Sequence, residues 1–175
     1  MEKTLLIRRV GPADVDAVVE IARKTFKETY EAYNHPDEIR MYMDRALTTK
    51  VLEEELEADG SAWYMAFLDE VPVGFFKIRW DSEPKNLPGR KPLELQRIYV
   101  VQEYQGFSIG SALISRVKQY AREEGYDTVW LQVWQKNGKA IKFYQASGFV
   151  VYETARFLMG KEEQQDFLMR FDLFY

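Results

Sequence analysis

The chain has 175 residues, 46% hydrophobic and 30% charged; this is enough apolar side chain for one well-buried core but too little length for two ordinary domains, so residues 1–175 are expected to form a single unit. A formal net charge of -4 argues against nucleic acid as a partner, because phosphate binding normally shows as a basic surplus on one face. The absence of cysteine excludes a disulfide framework, an iron–sulfur cluster and a cysteine nucleophile. Lys3, Arg8 and Arg9 surround only three consecutive apolar residues, far short of a signal-peptide core or a membrane span, so the expected location is cytoplasmic with no membrane partner.

Thr4 to Arg8 reads as a short strand ended by Gly11-Pro12. Pro12 suits the first turn of a helix, with Asp14 and Asp16 near its positive end. Val15, Val18, Val19, Ala22 and Phe26 recur at three- and four-residue spacing and predict a helix with one buried face. His35-Pro36 interrupts the pattern, and two shorter helices follow, Asp37 to Ala46 and Thr48 to Ala58. His35 reads as a surface or capping residue of that junction rather than a catalyst. Trp63 to Leu68 and Val71 to Trp80 are aromatic and β-branched runs joined by Asp69-Glu70, which predicts an antiparallel hairpin. Pro84, Pro88, Gly89 and Pro92 make Asp81 to Pro92 a loop. Leu93 to Val101, Ile109 to Glu124 and Thr128 to Trp134 then alternate as strand, helix and strand, a βαβ unit. A helix from Asn137 to Ala146 and strands from Gly148 to Tyr152 and Phe167 to Phe174 complete the chain. This order predicts an α/β fold around a mixed sheet. The aromatic C-terminus, Phe171 to Tyr175, suits either an ordinary final strand or an edge strand pairing with a second copy as a homodimer.

Between the βαβ unit's first strand and its helix lies Tyr104-Gln105-Gly106-Phe107-Ser108-Ile109-Gly110-Ser111. The first turn of a helix presents unpaired N–H groups and a partial positive charge, and small residues there let a phosphate approach the backbone. The alternative is a glycine-rich turn that only starts the helix. A P-loop would need a Lys-Ser or Lys-Thr pair after its glycines, and Gly110-Ser111 carries no lysine. A dinucleotide fold would place such a turn after its first strand, whereas here it stands mid-chain.

Gln105-Gly106-Phe107-Ser108-Ile109-Gly110 resembles the Arg/Gln-x-x-Gly-x-Gly/Ala signature of the GCN5-related N-acetyltransferases (GNAT), with Ser108 in place of the central glycine. Asn137, Ala140, Phe143, Tyr144, Gly148 and Phe149 stand in the spacing of that family's Asn-x-x-Ala-x-x-Phe-Tyr-x-x-x-Gly-Phe segment. Together with Arg97-Ile98-Tyr99-Val100, these motifs follow the family's order through the C-terminal half. Trp134-x-Lys136-Asn137 and Met159-Gly160-x-Glu162-Glu163-Gln164-x-Asp166 resemble the family's bacterial spermidine/spermine N-acetyltransferases of the PaiA type, over nearly the whole chain.

The resemblance implies a mixed, mostly antiparallel central sheet flanked by helices on both faces, and transfer of acetyl from acetyl-CoA to a small-molecule primary amine, a polyamine, without a metal. It places pantetheine in a splay between Leu93–Val101 and Thr128–Trp134, paired with Ile98, Tyr99 and Val100. The loop residues Gln105, Gly106, Phe107, Ser108, Ile109, Gly110 and Ser111 hold the pyrophosphate. Asn137 fixes the pantetheine from the other side, a role compatible with helix capping, and N–H groups near Ile98 and Tyr99 face the reacting carbonyl oxygen. Tyr144 becomes the general acid for the departing thiolate, since a phenol with a pKa of about 10 can supply a proton to a thiolate whose acid has one of about 8.5; by residue type alone it reads as a core tyrosine beside Phe143.

An ammonium acceptor must also lose a proton. Glu94 stands where some members carry a glutamate base and Gln96 where polyamine acetyltransferases often carry one, but glutamine takes no proton. The two-residue strand period puts Glu94 and Gln96 on one face, so Glu94 serves through a water or is an exposed strand carboxylate. For the acceptor wall the candidates are Phe26, Glu28, Tyr30, Tyr33, Asp37 and Glu38, carboxylates and aromatics that suit a polycation and equally describe a solvated helix face. The rival reading is a CoA-binding module without turnover. Among enzymes, the other acceptors are a protein amine, an amino acid or an aminoglycoside.

Overall fold

The computed structural model describes residues 3–82, 86–87, 90–159 and 161–173. Pro84, Pro88, Gly89, Gly160, Phe174 and Tyr175, named above in loop, motif and terminal strand, lie outside them. Strand β1 (Leu5–Val10) leads through a 3-10 turn into α1 (Val15–Tyr30), followed by α2 (Pro36–Ala46) and α3 (Thr49–Glu57). Then come β2 (Ser61–Leu68), β3 (Val71–Arg79), β4 (Pro92–Val100), α4 (Ile109–Glu123), β5 (Thr128–Trp134), α5 (Gly138–Ala146), β6 (Val150–Met159) and β7 (Glu162–Asp172). Among the described residues the strands form one sheet in the order β1-β2-β3-β4-β5-β7-β6, with only β4 and β5 parallel. This is the mixed, mostly antiparallel sheet expected.

Strand alternation sends side chains to both faces, and each face is covered. Tyr64, Phe76, Ile78, Leu93, Val129 and Met169 pack with Leu113 and Val117 of α4 and with Tyr144 of α5. Trp63, Met65 and Phe75 pack with Val18, Ile21 and Phe26 of α1, Ile39 of α2 and Leu52 of α3. In the β2–β3 turn, Asp69 (φ 47°) and Glu70 (φ 71°) both adopt left-handed backbone, the conformation whose twist matches the flanking strands.

Two expectations change. β6 runs far past Tyr152 because it is an edge strand paired only with β7, with Val150, Val151 and Leu158 exposed, so no buried alternation marks it in the sequence. β7 is not an edge: it lies between β5 and β6, and its backbone is used on both sides. The described part of the C-terminal run supplies core, with Phe171 against Phe149 at 5.7 Å between ring centroids and Leu173 buried.

β4 and β5 pair only at Pro92↔Thr128, Leu93↔Val129 and Glu94↔Trp130, and beyond Glu94 they separate. On its other edge β4 bulges: Leu95 opposes Ile78 and Arg97 opposes Lys77, leaving Gln96 without a register partner.

Gly148, at φ +97°, turns the chain from α5 into β6, and a Cβ there would lie 2.8 Å from the Phe171 ring. Gly148→Ala is expected to destabilise the fold by about 1–3 kcal/mol through strained backbone and overpacking, as measured by urea denaturation.

Candidate active site

A cleft of about 620 Å³ opens where β4 and β5 part. The Val101 N–H bonds the Val73 carbonyl at 2.9 Å, which sets the parity of the β3–β4 ladder. Tyr99 therefore spends its backbone groups on β3, while the amides of Ile98 and Val100 face the gap where β5 has left. All three residues line the cleft, but Tyr99 contributes a side chain rather than an edge amide.

At one mouth of the cleft is the predicted loop. Gly106 (φ 91°) and Ser108 (φ 63°) take left-handed backbone, the reason glycine suits both positions; Ser108 accepts that conformation with a side chain. Ser108 caps α4 through its carbonyl, bonded by the Ala112 N–H at 3.1 Å, with no side-chain cap. Ile109, Gly110 and Ser111 thus point first-turn N–H groups outward at the positive end of a 15-residue helix. A Cβ on Gly110 would stand 3.1 Å from the Phe143 ring, so glycine permits α5 to pack against this turn. Lys139 of α5 donates to the Gln105 side-chain carbonyl, adding a cation that sequence reasoning missed. Gln105, Gly106, Ser108, Ile109, Gly110 and Ser111 line the cleft; Phe107, 69% exposed, does not. Unpaired amides, a helix dipole and a lysine fit a diphosphate.

On the opposite wall Asn137 caps α5, its Oδ1 accepting from the Ala140 N–H at 3.3 Å, and also lines the cleft. Tyr144 is a core tyrosine, as its residue type suggests, and also lines the cleft. Burial, with a smaller contribution from Tyr99, pushes its phenol well above the ordinary value.

The acceptor-side candidates divide. Glu28 and Tyr33 line the cleft, although Glu28 accepts from the Gln102 N–H at 3.1 Å, which ties it to the loop end. Asp37 and Glu38 lie outside the lining. Asp37 pairs with Arg40 in the first turn of α2, and Glu38 accepts from the Lys161 backbone N–H at 2.8 Å. His35 caps α2, with Nδ1 accepting from the Asp37 N–H at 3.1 Å. Phe26 is core, stacked on Tyr42 at 4.5 Å. The aromatic wall is built by Tyr30, Tyr33 and Trp134, with Trp134 centred 5.5 Å from Tyr30 and 5.4 Å from Tyr33. Trp134 and Gln132 alternate along β5, a period-two signal visible in sequence whose target only the packing reveals.

Glu94 requires correction. It is neither exposed nor in the cleft: at 5% exposure it accepts from the Arg79 guanidinium and from the Ser82 hydroxyl at 2.7 Å. The bulge breaks the two-residue alternation, so Glu94 and Gln96 do not share a site. Gln96 does line the cleft, and its buried Oε1 has no hydrogen-bond partner among the described residues.

A family model described as the acetyltransferase (GNAT) family matches residues 15–149. The chain belongs to the GNAT family. It is an acetyl-CoA-dependent N-acetyltransferase by that membership. It is 27% identical over 164 residues, 94% of this chain and 95% of the other, to an uncharacterized N-acetyltransferase in the pepI 3' region of Lactobacillus delbrueckii subsp. lactis. It is 25% identical over 162 residues to the spermidine N(1)-acetyltransferase of Thermoplasma acidophilum, covering 89% of this chain and 96% of that one. The crystal structure of the PaiA N-acetyltransferase from Thermoplasma acidophilum, solved in complex with coenzyme A, shares the fold with a TM-score of 0.81 at 22% identity, over 97% of this chain and 99% of the other. Among the described residues of this GNAT enzyme no group of three or more His, Asp or Glu is arranged to hold a metal, and no helix is long and apolar enough to cross a membrane.

Because Glu94 is held by Arg79 outside the cleft, Glu94→Gln is expected to leave kcat unchanged while lowering stability by about 1–2 kcal/mol, a value discounted for the partial exposure of Arg79. Steady-state kinetics beside thermal unfolding checks both halves.

Proposed function

We propose that this GNAT enzyme acetylates a polyamine such as spermidine or spermine by direct attack of a primary amine on acetyl-CoA, with Tyr144 as general acid. The observation that carries the reading is the unpaired stretch of β4, which runs from the open amides at the start of α4 toward a cleft that contains Tyr144. Acetyl-CoA would supply the thioester. The N–H groups of Ile109, Gly110 and Ser111, with Lys139, would hold its diphosphate, and the edge groups of Ile98 and Val100 would pair with its pantetheine as a missing strand does, the Val100 carbonyl giving up its 3.1 Å bond from the Gln105 side chain.

Tyr144 is protonated throughout the neutral range because burial holds its phenol above the ordinary value, so it remains a donor wherever the enzyme works. A cationic acceptor is supported by the Tyr30, Tyr33 and Trp134 wall, by the unpartnered buried Oε1 of Gln96, a residue of the cleft wall, and by the similarity to a spermidine acetyltransferase. Aromatic faces hold a partly desolvated cation by about 0.5–2 kcal/mol each.

A panel of amines, with CoA release followed by a thiol reagent, tests the acceptor. Spermidine and spermine are expected to lead monoamines, lysine peptides and aminoglycosides in kcat/KM, and equal values across the panel would remove the polyamine assignment. Tyr144→Phe is expected to lower kcat by about 10²-fold or more while CoA affinity by calorimetry stays the same. A wild-type protein that binds CoA and turns over no amine would identify a binding module instead.

A further inference from the structure

Asp166 on β7 is a carboxylate that the fold buries without neutralising. It is 5% exposed, and Oδ2 accepts from the Gln132 side-chain N–H at 2.9 Å. The other oxygen, Oδ1, is buried and has no hydrogen-bond partner, and no Lys, Arg or His pairs with the carboxylate among the described residues. Such burial is unfavourable by several kcal/mol in general, so the position calls for a role outside packing. Its surroundings point to one. Asp166 stands opposite Trp134 in the β5–β7 register, and the Trp134 ring meets Tyr30 of α1 at 5.5 Å; with Tyr99 of β4 close by, the carboxylate raises both phenols, a smaller effect than their burial. Tyr30, Tyr99 and Gln132 all line the cleft, and Tyr99 in turn acts on Tyr144. Beyond these, Tyr42 from α2 and Arg97 from β4 act on the phenol pair, β5 presents Gln132, and Ala155 of β6 stands opposite Asp166.

Among the described residues the other candidate acceptors are otherwise engaged. Glu94 is tied to Arg79 away from the cleft, Gln96 takes no proton, and Glu28 is bonded at the loop end. We propose that Asp166 is the terminal acceptor of the proton shed by the attacking ammonium, reached through the hydroxyls of Tyr30 and Tyr99. The N–H bond of the ammonium breaks and its proton passes to one phenol oxygen as that phenol's own proton moves to the second. The second phenol's proton passes, directly or across one water, to Oδ1. The nitrogen gains its lone pair, both phenols end neutral, and the carboxylate becomes a carboxylic acid that later returns the proton to solvent.

Burial moves the Asp166 carboxyl above its ordinary range, with the Gln132 N–H holding it partly back, which makes it a better acceptor than an exposed carboxylate. The folded chain thus binds this proton more tightly than the unfolded chain. Ionised Asp166 lowers stability as pH rises from the ordinary carboxylate value through the raised one. Asp166→Asn, which can still accept from Gln132, is therefore expected to melt no lower than wild type at neutral pH.

This inference rests on the amine-acetylation reading above, and the test separates the two. Acetylation of spermidine is followed from about pH 6 to about pH 10, the latter near the pKa of a free amine, with wild type, Asp166→Asn and Tyr99→Phe. Asp166→Asn is expected to lose about 100-fold in kcat near pH 7, with CoA affinity unchanged by calorimetry. The deficit should shrink toward high pH, where the amine arrives already deprotonated and needs no acceptor, and Tyr99→Phe should show the same shape. A deficit that stays constant across the range, or no deficit, overturns the role of Asp166 while leaving acetyl transfer intact. A wild type that binds CoA and acetylates no amine overturns the amine reading and this inference with it.

Discussion

The site depends on one interrupted hydrogen-bond ladder. β4 and β5 share three residue pairs and then part, leaving the backbone amides of Ile98 and Val100 without a strand partner. An unmet edge inside a sheet is unfavourable unless something completes it. Here both strands are held apart by what lies on their far sides: β3 ladders with β4 up to Val100, and β7 ladders with β5 through Trp134. These outer ladders keep β4 and β5 apart beyond Glu94. An extended polar chain with amides of its own is the complement that such an opening requires.

The loop before α4 and the capping of α5 set the two ends of that opening. Gly106 and Ser108 turn the backbone so that α4 begins with its N–H groups toward the gap, and Gly110 admits the Phe143 ring from α5. The contact that fixes α5 against α4 also brings Tyr144, one residue further along, to the cleft. The start of α4 and the position of the phenol are thus coupled through a single close approach.

Polar groups divide according to whether they are satisfied. Glu94, Asp37 and Glu38 have cationic or N–H partners and serve structure. Gln96 and Asp166 keep buried oxygens without partners beside a cleft walled by aromatic rings. Unsatisfied buried acceptors are rare in folded chains, and oxygens of this kind are what an ammonium's donors would meet.

Much of this was legible in the residues alone. The order of strands and helices follows from periodicity, and the loop from Gln105 to Ser111 and the Asn137 to Phe149 segment mark the cleft by spacing, because helix starts and caps are local events governed by neighbours in sequence. The extent of β6 was not legible, since an exposed edge strand carries no buried alternation, nor was the interior place of β7, which is a matter of strand pairing. Glu94 misled because a bulge at Gln96 shifts the parity of a strand without changing its composition, and the Arg79 that neutralises it lies on a different strand. Asp166, Tyr30, Tyr99 and Gln132 come together from β7, α1, β4 and β5. Sequence by itself thus determined the family, the order of the elements and the glycine-bearing turn that starts α4. Which acids are paired, which amides face the gap and which buried carboxylate is left without a cation were decided only by tertiary structure, because burial and electrostatic partnership arise between elements and not within them.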